Sequence, residues 1–366
     1  MDGKLVLVDG HSILNRAFFG IPDLTNSEGL HTNAVYGFLN ILFKILDEEQ
    51  PDYLTVAFDV HAPTFRHKMY DAYKGTRKPM AEELRQQVPL MKEMLTAMGV
   101  TIVEKEGYEA DDLLGTIAKQ SEAQGLEVSI VSGDRDLLQL ASDHIKIRIP
   151  KTKRTGTEIE DYLAKDVVEK YQVTPLQFID VKALMGDSAD NIPGVPGIGE
   201  KTATALIVSY GSIENAHDHL EEIKPNRAKQ NLSEHYDMAQ MSKELATIEI
   251  HAPIEYSLED AKLGNLFTEE AYLMCKRLEF KNMLSRFDID APKNLAEEHF
   301  TFVTDKKQIS DIFKKAKKAG HIGCCLLPGE GIITEQLSLF EQPKEQQVID
   351  CLLYTSDAAD DTPCVD

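Results

Sequence analysis

Lys4-Leu-Val-Leu-Val-Asp-Gly-His11 is a short aliphatic run closed by a carboxylate, and the same design returns twice downstream. Tyr53–Phe58 runs into Asp59, and Val128–Ser132 leads to Asp134. Together with Thr101–Glu104 and Ile145–Ile149, these runs alternate with helix-length amphipathic stretches over residues 1 to about 150. That alternation predicts an α/β fold, a mostly parallel sheet flanked by helices. In open α/β sheets ligands sit beyond the carboxyl ends of the strands, so acids arriving there from separate strands would converge on one crevice. For any single Asp, capping of the next helix or turn explains the position equally well. The argument rests on the repetition.

Composition narrows the class. The chain has 366 residues, enough for two or three domains. A net charge of −22 excludes a uniformly basic nucleic-acid coat. No apolar run approaches the roughly 18–20 residues that span a bilayer. The first run is too short and too soon closed by Asp9 for a secretory leader. The expectation is a cytoplasmic, monomeric protein with no membrane partner. Five cysteines contain no Cys-x-x-Cys pair, which leaves neither a disulfide framework nor a thiolate metal site.

The α/β pattern is expected to occupy residues 1–160. Residues 161–290 read as mostly helical, with periodic runs at Leu176–Leu184 and Lys201–Ser209 and a dense turn between them, Asn191-Ile-Pro-Gly-Val-Pro-Gly-Ile-Gly-Glu200. Residues 291–350 show a strand, helix, strand pattern (Thr301–Val303, Gln308–Ala319, Ile322–Leu327), the start of a further α/β domain. Residues 351–366 have no periodicity and read as a non-native tail.

Nine carboxylates stand out by position: Asp9, Asp59, Glu109, Asp111, Asp112, Asp134, Asp136, Asp187 and Asp190. Residues two apart on an extended strand exit share a side, which suits Glu109 with Asp111 and Asp134 with Asp136. Residues three apart share a face of a helical turn, which suits Asp187 with Asp190. So many anions in one crevice would raise one another's pKa values unless cations intervene. An all-oxygen donor set favours Mg²⁺ or Mn²⁺ over Zn²⁺. Two such ions roughly 4 Å apart are the usual device for hydrolysing a phosphodiester.

These motifs carry a resemblance. Val8-Asp-Gly-His11, Phe58-Asp59, Tyr108-Glu-Ala-Asp-Asp112, Ser132-Gly-Asp-Arg-Asp136, Gly186-Asp-Ser-Ala-Asp-Asn191 and Gly197-Ile-Gly-Glu-Lys201 occur in the order seen in the 5′-nuclease domain of bacterial DNA polymerase I and the wider flap endonuclease family. The chain resembles that family over roughly residues 1–290. The resemblance implies a PIN-like nuclease core. It also implies one metal cluster at Asp9, Asp59, Glu109 and Asp111, a second at Asp134, Asp136, Asp187 and Asp190, and Asp112 between or just behind them.

Residues 61–79 hold Arg66, Lys68, Lys74, Arg77 and Lys78 against Asp71 alone, a local surplus of positive charge that an acidic chain needs in order to hold DNA. Tyr70 and Tyr73 interleave with these charges, which suits a strand-threading element that touches phosphates and stacks on bases. In the resembled family this region, near 61–90, is a helical arch, and Lys74 and Arg77 match the basic pair that grips the scissile phosphate. Arg16 matches a family arginine expected to help with the same phosphate, an ordinary ion pair being the alternative. His11, just after a strand-end Gly, is read as supporting the site rather than acting as a general base. Gly194, Gly197 and Gly199 open backbone N–H groups to a phosphate, and Lys201 lies at the start of the following helix. The turn resembles the family's helix-hairpin-helix, which implies a duplex-backbone grip and a monovalent ion such as K⁺.

The expected activity is Mg²⁺-dependent 5′→3′ exonuclease and flap endonuclease cleavage of DNA bearing 5′ flaps, nicks or RNA primers. By resemblance the chain is the N-terminal part of a longer polymerase. Ile322-Gly-Cys-Cys-Leu-Leu-Pro328 lacks the Asp-x-Glu pair of an active 3′→5′ exonuclease. Two rival readings stay open: a PIN-type metal ribonuclease, and a junction-binding module whose metals are structural.

Overall fold

The computed structural model describes residues 3–153 and 156–287, residues 307, 310, 311, 313 and 314, and the segments 322–328 and 349–355. The chain forms two compact units, Met1–Ile289 and Asp290–Asp366.

In the first unit β1 (Lys4–Asp9) leads into α1 (Gly10–Gly20), α2 (Asn33–Glu49), β2 (Tyr53–Ala57), α3 (Phe65–Met69), α4 (Glu82–Ala97), β3 (Thr101–Val103), α5 (Ala110–Ala123) and β4 (Glu127–Val131). There follow β5 (Ile145–Lys153), β6 (Gly156–Tyr162), α6 (Ala164–Tyr171), α7 (Pro175–Met185), α8 (Glu200–Tyr210), α9 (Ile213–Asp218), α10 (Asn226–Glu234), α11 (Tyr236–Ala246), α12 (Glu269–Arg277) and α13 (Lys281–Leu284).

The sheet order is β3-β2-β1-β4-β5-β6, parallel except for the β5–β6 pair. β1 is central and covered on both faces, which is why its sequence is continuously aliphatic. Alternation sorts its side chains: Leu5 and Leu7 join a core with Leu114 of α5, Leu184 of α7 and Ile207 of α8, while Val6 and Val8 join Phe38 of α2 and Met91 of α4. One core therefore runs from the sheet into the helical region. The strand order reverses between β1 and β4, so the crevice where such sheets bind ligands lies at their carboxyl ends, beside Asp9 and Asp134.

β6 falls outside the sequence reading, which began the helical region at about residue 161. It is a polar edge strand, Gly-Thr-Glu-Ile-Glu-Asp-Tyr162, and edge strands carry charge instead of an apolar run. Its register puts Asp161 opposite Arg148, whose Nε donates to the Asp161 carboxylate at 2.8 Å.

In the second unit β7 (Ile322–Pro328) pairs antiparallel with β8 (Ile349–Thr355), so residues 351–355 of the expected tail are strand. Residues 307, 310, 311, 313 and 314 are helical, within or beside the expected Gln308–Ala319 helix. Thr301–Val303 and residues 356–366 lie outside the described residues.

Candidate active site

β1 ends in Asp9, which also caps α1: its carboxylate accepts the Ser12 N–H at 3.0 Å and the Ser132 hydroxyl at 2.7 Å. Ser132 follows β4 and in turn accepts the Asp134 N–H at 3.0 Å, while the Gly133 N–H donates to Ser12 Oγ at 2.9 Å. The exits of the two central strands are thus stitched together by serine hydroxyls. From the neighbouring strand, Asp59 accepts the Ala110 N–H at 2.8 Å, and its own N–H donates to His11 Nδ1 at 3.1 Å. His11 therefore orients the loop that carries Asp59.

Asp9, Asp59, Glu109, Asp111 and Asp134 line one cleft of about 1140 Å³ with Arg16, Lys74, Arg77 and Lys78. Burial, then the neighbouring Asp9, Asp134 and Asp59 charges, hold the Asp111 carboxyl well above the usual carboxylate range. Burial lifts Asp9 to about 6, with Asp59 and Asp134 adding to it. At Asp59 burial also pushes upward, but the His11 ring and the Ala110 N–H outweigh it and bring the carboxyl down to about 2. This part of the cleft carries more negative charge than the protein itself neutralises. Oxygen donors with surplus negative charge fit a hard divalent cation, although among the described residues no three acidic, histidine or cysteine side chains form a ready-made cage for one ion.

The remaining acids divide differently from the two expected clusters. Asp136 and Asp187 share Lys182 of α7, whose ammonium lies 2.8 Å from Asp136 and also pairs with Asp187. Burial and the Asp134 charge still push Asp136 up to about 7, whereas Lys182 and backbone N–H groups pull Asp187 down against its burial. Asp190 joins Glu109 through the segment after α3: the Tyr73 hydroxyl donates to both carboxylates at 3.1 and 3.2 Å, and Lys74 lies 2.7 Å from Glu109 and 3.8 Å from Asp190. Arg77 pairs with Asp190 as well and donates to the Ala189 carbonyl at 3.2 Å. Lys74 sits in the left-handed region, φ 54°, with its N–H on the Asp190 carbonyl at 2.8 Å. The backbone thus fixes where that ammonium reaches. Lys182 escaped the sequence reading because it stands inside the periodic Leu176–Leu184 run; the signal was a lysine on a largely buried helix, two residues after Asp180 and five before Asp187.

Two expectations are corrected, and a third is narrowed. Asp112, expected between the two clusters or just behind them, lies off the cleft wall and fully buried, and its carboxylate is spent within the protein: it takes both Arg66 Nη groups at 2.8 Å and the N–H groups of Glu109 and Glu249 at 3.0 and 2.9 Å. Arg66, expected on DNA, is 3% exposed and spends its other donors on the Leu245 and Thr247 carbonyls at 2.9 and 2.7 Å. Tyr73, expected to stack on bases, is buried in the segment after α3 with its hydroxyl on two carboxylates. Lys68 and Lys78 are exposed, and only Lys78 of the two lines the cleft.

The glycine turn is likewise divided. Gly194 is buried, at φ 63°, with its N–H already given to Ser242 Oγ at 3.1 Å, so it is corrected from phosphate contact to packing element. A Cβ there would lie 2.3 Å from the Gly186 nitrogen, a backbone atom that cannot step aside. Gly194→Ala is expected to lower stability by about 1–3 kcal/mol or more, measured by denaturant unfolding; an unchanged midpoint would contradict the packing. Gly197, Gly199 and Lys201 are exposed at the entrance of α8, where Gly199 is the N-cap, and remain open to a phosphate backbone.

Family models place this architecture. The 5′-3′ exonuclease N-terminal resolvase-like domain matches residues 4–172, and the 5′-3′ exonuclease C-terminal SAM fold matches residues 173–269. The chain belongs to the 5′-3′ exonuclease family. Among curated relatives, DNA polymerase I of Bacillus caldotenax is 47% identical over 304 residues, 82% of this chain and 34% of that protein. DNA polymerase I of Bacillus subtilis is 47% identical over 288 residues, 79% of this chain and 32% of that protein. The chain therefore spans about a third of the length of the curated relatives it matches. Among solved structures, T5 5′-exonuclease with bound divalent zinc ions shares the fold at a TM-score of 0.56 and 22% identity, covering 77% of this chain and 99% of that one. The catalytic core of Rad2 in complex with a DNA substrate shares it at 0.51 and 13%, covering 78% and 91%. Within the exonuclease family, the acid-lined crevice thus lies at the strand exits of a nuclease core that is continuous with its helical C-terminal fold.

Proposed function

We propose that this 5′-3′ exonuclease family member is a Mg²⁺-dependent enzyme that hydrolyses DNA phosphodiesters at single-strand/double-strand junctions. It would act as a 5′→3′ exonuclease and flap endonuclease, working as a monomer in the cytoplasm. It would remove primers and repair DNA as the N-terminal part of a DNA polymerase I. The observation that carries the reading is the under-neutralised carboxylate cleft with Lys74, Arg77 and Arg16 on its wall. Asp9, Asp59, Asp111 and Asp134 would hold the metal. Bound there, a divalent ion supplies a hydroxide near neutral pH and steadies the leaving oxygen.

The chain's own residues do the rest. Lys74 and Arg77 place two cations at the rim, where negative charge develops on the phosphoryl oxygens. Glu109 and Asp190 hold these side chains in place before the substrate arrives, and Tyr73 locks the two acids together from below. Gly197, Gly199 and Lys201 would grip the duplex backbone, with K⁺ held at that turn.

A 5′-labelled DNA flap incubated with Mg²⁺ should release a short labelled product ending in a 3′-hydroxyl, and chelation should stop it. Binding without release would favour the junction-binding reading, and preference for an RNA flap would favour the ribonuclease. For Lys74→Ala the expected result is a fall in single-turnover rate of about a hundredfold with affinity changed only a few-fold. An equal loss in both would move Lys74 from the reaction to simple attraction.

A further inference from the structure

Asp134, Asp136, Asp187 and Asp190, which the resemblance would give to a second metal ion, are not equally open to one. Only Asp134 of the four lines the cleft. Asp190 already pairs with Arg77 and Lys74 and accepts the Tyr73 hydroxyl. Asp136 and Asp187 share the Lys182 ammonium, which lies 2.8 Å from an Asp136 oxygen and pairs with an Asp187 oxygen as well. The Lys182 side chain is only 12% exposed, so water does little to replace either partner.

Packing holds this arrangement from both sides. Lys182 is carried by α7, whose Val181, Ala183 and Leu184 share one core with Leu137 and Leu138, the residues just after Asp136. The Asp136 N–H donates to the Asp134 carboxylate at 2.9 Å. Asp187 accepts the Ala189 N–H at 2.7 Å, and its backbone exchanges two hydrogen bonds with Ile192 at 2.8 and 2.9 Å. A divalent ion would need the oxygens that the ammonium uses. Mg²⁺ draws its ligands in to about 2.1 Å with near-octahedral geometry, so it and the Lys182 ammonium cannot sit on Asp136 and Asp187 together. The cleft acids differ. Among the described residues, Asp9, Asp59, Asp111 and Asp134 make no ion pair with a lysine or arginine.

We propose that Lys182 is a built-in cation standing where a second divalent ion would go. The DNA-free protein then holds one such ion tightly, at Asp9, Asp59, Asp111 and Asp134, and takes up another only weakly, by expelling the ammonium from Asp136 and Asp187. This rests on the metal-holding set of the nuclease reading and adds an order of loading to it. It also gives Asp136 and Asp187 a counter-charge in the metal-free protein, which the cleft acids lack.

The test is Mn²⁺ binding to the DNA-free chain, followed by isothermal titration calorimetry and by the electron paramagnetic resonance signal of the free ion. The wild-type protein should bind one Mn²⁺, with any second ion at least about tenfold weaker. Lys182→Met keeps the apolar stem and removes the charge, so the second ion should tighten about tenfold or more while the first stays within about twofold. Lys182→Arg, which keeps the charge, should leave the second ion weak. Adding Asp187→Asn to Lys182→Met should abolish the gain, which assigns the second ion to these carboxylates and not to another part of an acidic surface. In EDTA Lys182→Met should unfold at a lower temperature than the wild type, and saturating Mn²⁺ should narrow that gap. A lysine that only packs would give the lower unfolding temperature with the second ion unmoved. That result, or two ions of equal affinity in the wild type, would overturn the proposal. Should Lys182→Met fail to fold, Lys182→Gln, which loses the charge but still donates a hydrogen bond, carries the same comparison. Flap cleavage by the wild-type protein in Mg²⁺ tests the nuclease reading separately: the expected binding pattern without cleavage would sink that reading and keep the role of Lys182, and cleavage with two equal ions would do the reverse.

Discussion

Asp111→Asn should reduce flap cleavage by at least about a thousandfold while raising the unfolding temperature of the metal-free protein. Asp111 is buried among Asp9, Asp134 and Asp59, and its carboxyl is held far above its ordinary range by desolvation and by those charges. A carboxyl whose native pKa is raised costs stability at neutral pH, because folding either traps the charge or forces a proton onto it. The isosteric amide removes the charge but keeps the shape, so in EDTA the variant should melt a few degrees higher. With Mg²⁺ the order should invert, since the wild-type protein gains binding free energy that the variant forfeits. Both measurements are needed. A loss of cleavage with a lower metal-free unfolding temperature would indicate disrupted packing, and cleavage retained within tenfold would remove Asp111 from the metal-holding set.

Much of this arrangement was readable from the chain, for a definite reason. Asp9, Asp59 and Asp134 follow aliphatic runs, and strand exits in a parallel sheet share one edge, so their meeting depends on topology and not on side-chain detail. The β6 strand was not readable because a polar edge strand lacks the apolar run that marks a central one. Charge in the 61–79 segment was readable as a surplus, but its division was not. Arg66 and Lys68 are two residues apart, yet Arg66 is buried on Asp112 while Lys68 is exposed. Composition cannot tell an exposed cation from one that ties α3 to the core, because both are long basic side chains near aromatic residues. The same limit applies to Gly194 and Gly197, only three residues apart: what distinguishes them is the Gly186 backbone lying against the first.

The Arg66–Asp112 pair gives the second large effect. Asp112 is the third residue of α5, where it accepts the Glu109 N–H, so the helix N-terminus favours its charge. The Arg66 guanidinium meets it with two parallel hydrogen bonds and carries on to the Leu245 and Thr247 carbonyls at the end of α11. Three segments meet at one buried ion pair: α3, the N-terminus of α5 that presents Glu109 and Asp111, and the exit of α11. Breaking a buried pair from one side strands the other charge, at a cost of about 3–5 kcal/mol. Asp112→Asn should therefore lower the unfolding temperature by roughly 6–12 °C. The Mg²⁺ concentration for half-maximal cleavage should stay within about twofold wherever the variant is folded. Were Asp112 a metal-holding residue, the pattern would reverse, with a tenfold or larger shift in Mg²⁺ requirement and little loss of stability. The double variant Arg66→Met, Asp112→Leu removes both charges together, and its destabilisation should fall short of the summed single losses by about 1–3 kcal/mol. Strict additivity would mean that the two side chains act independently, and α3 would then need another anchor to the core.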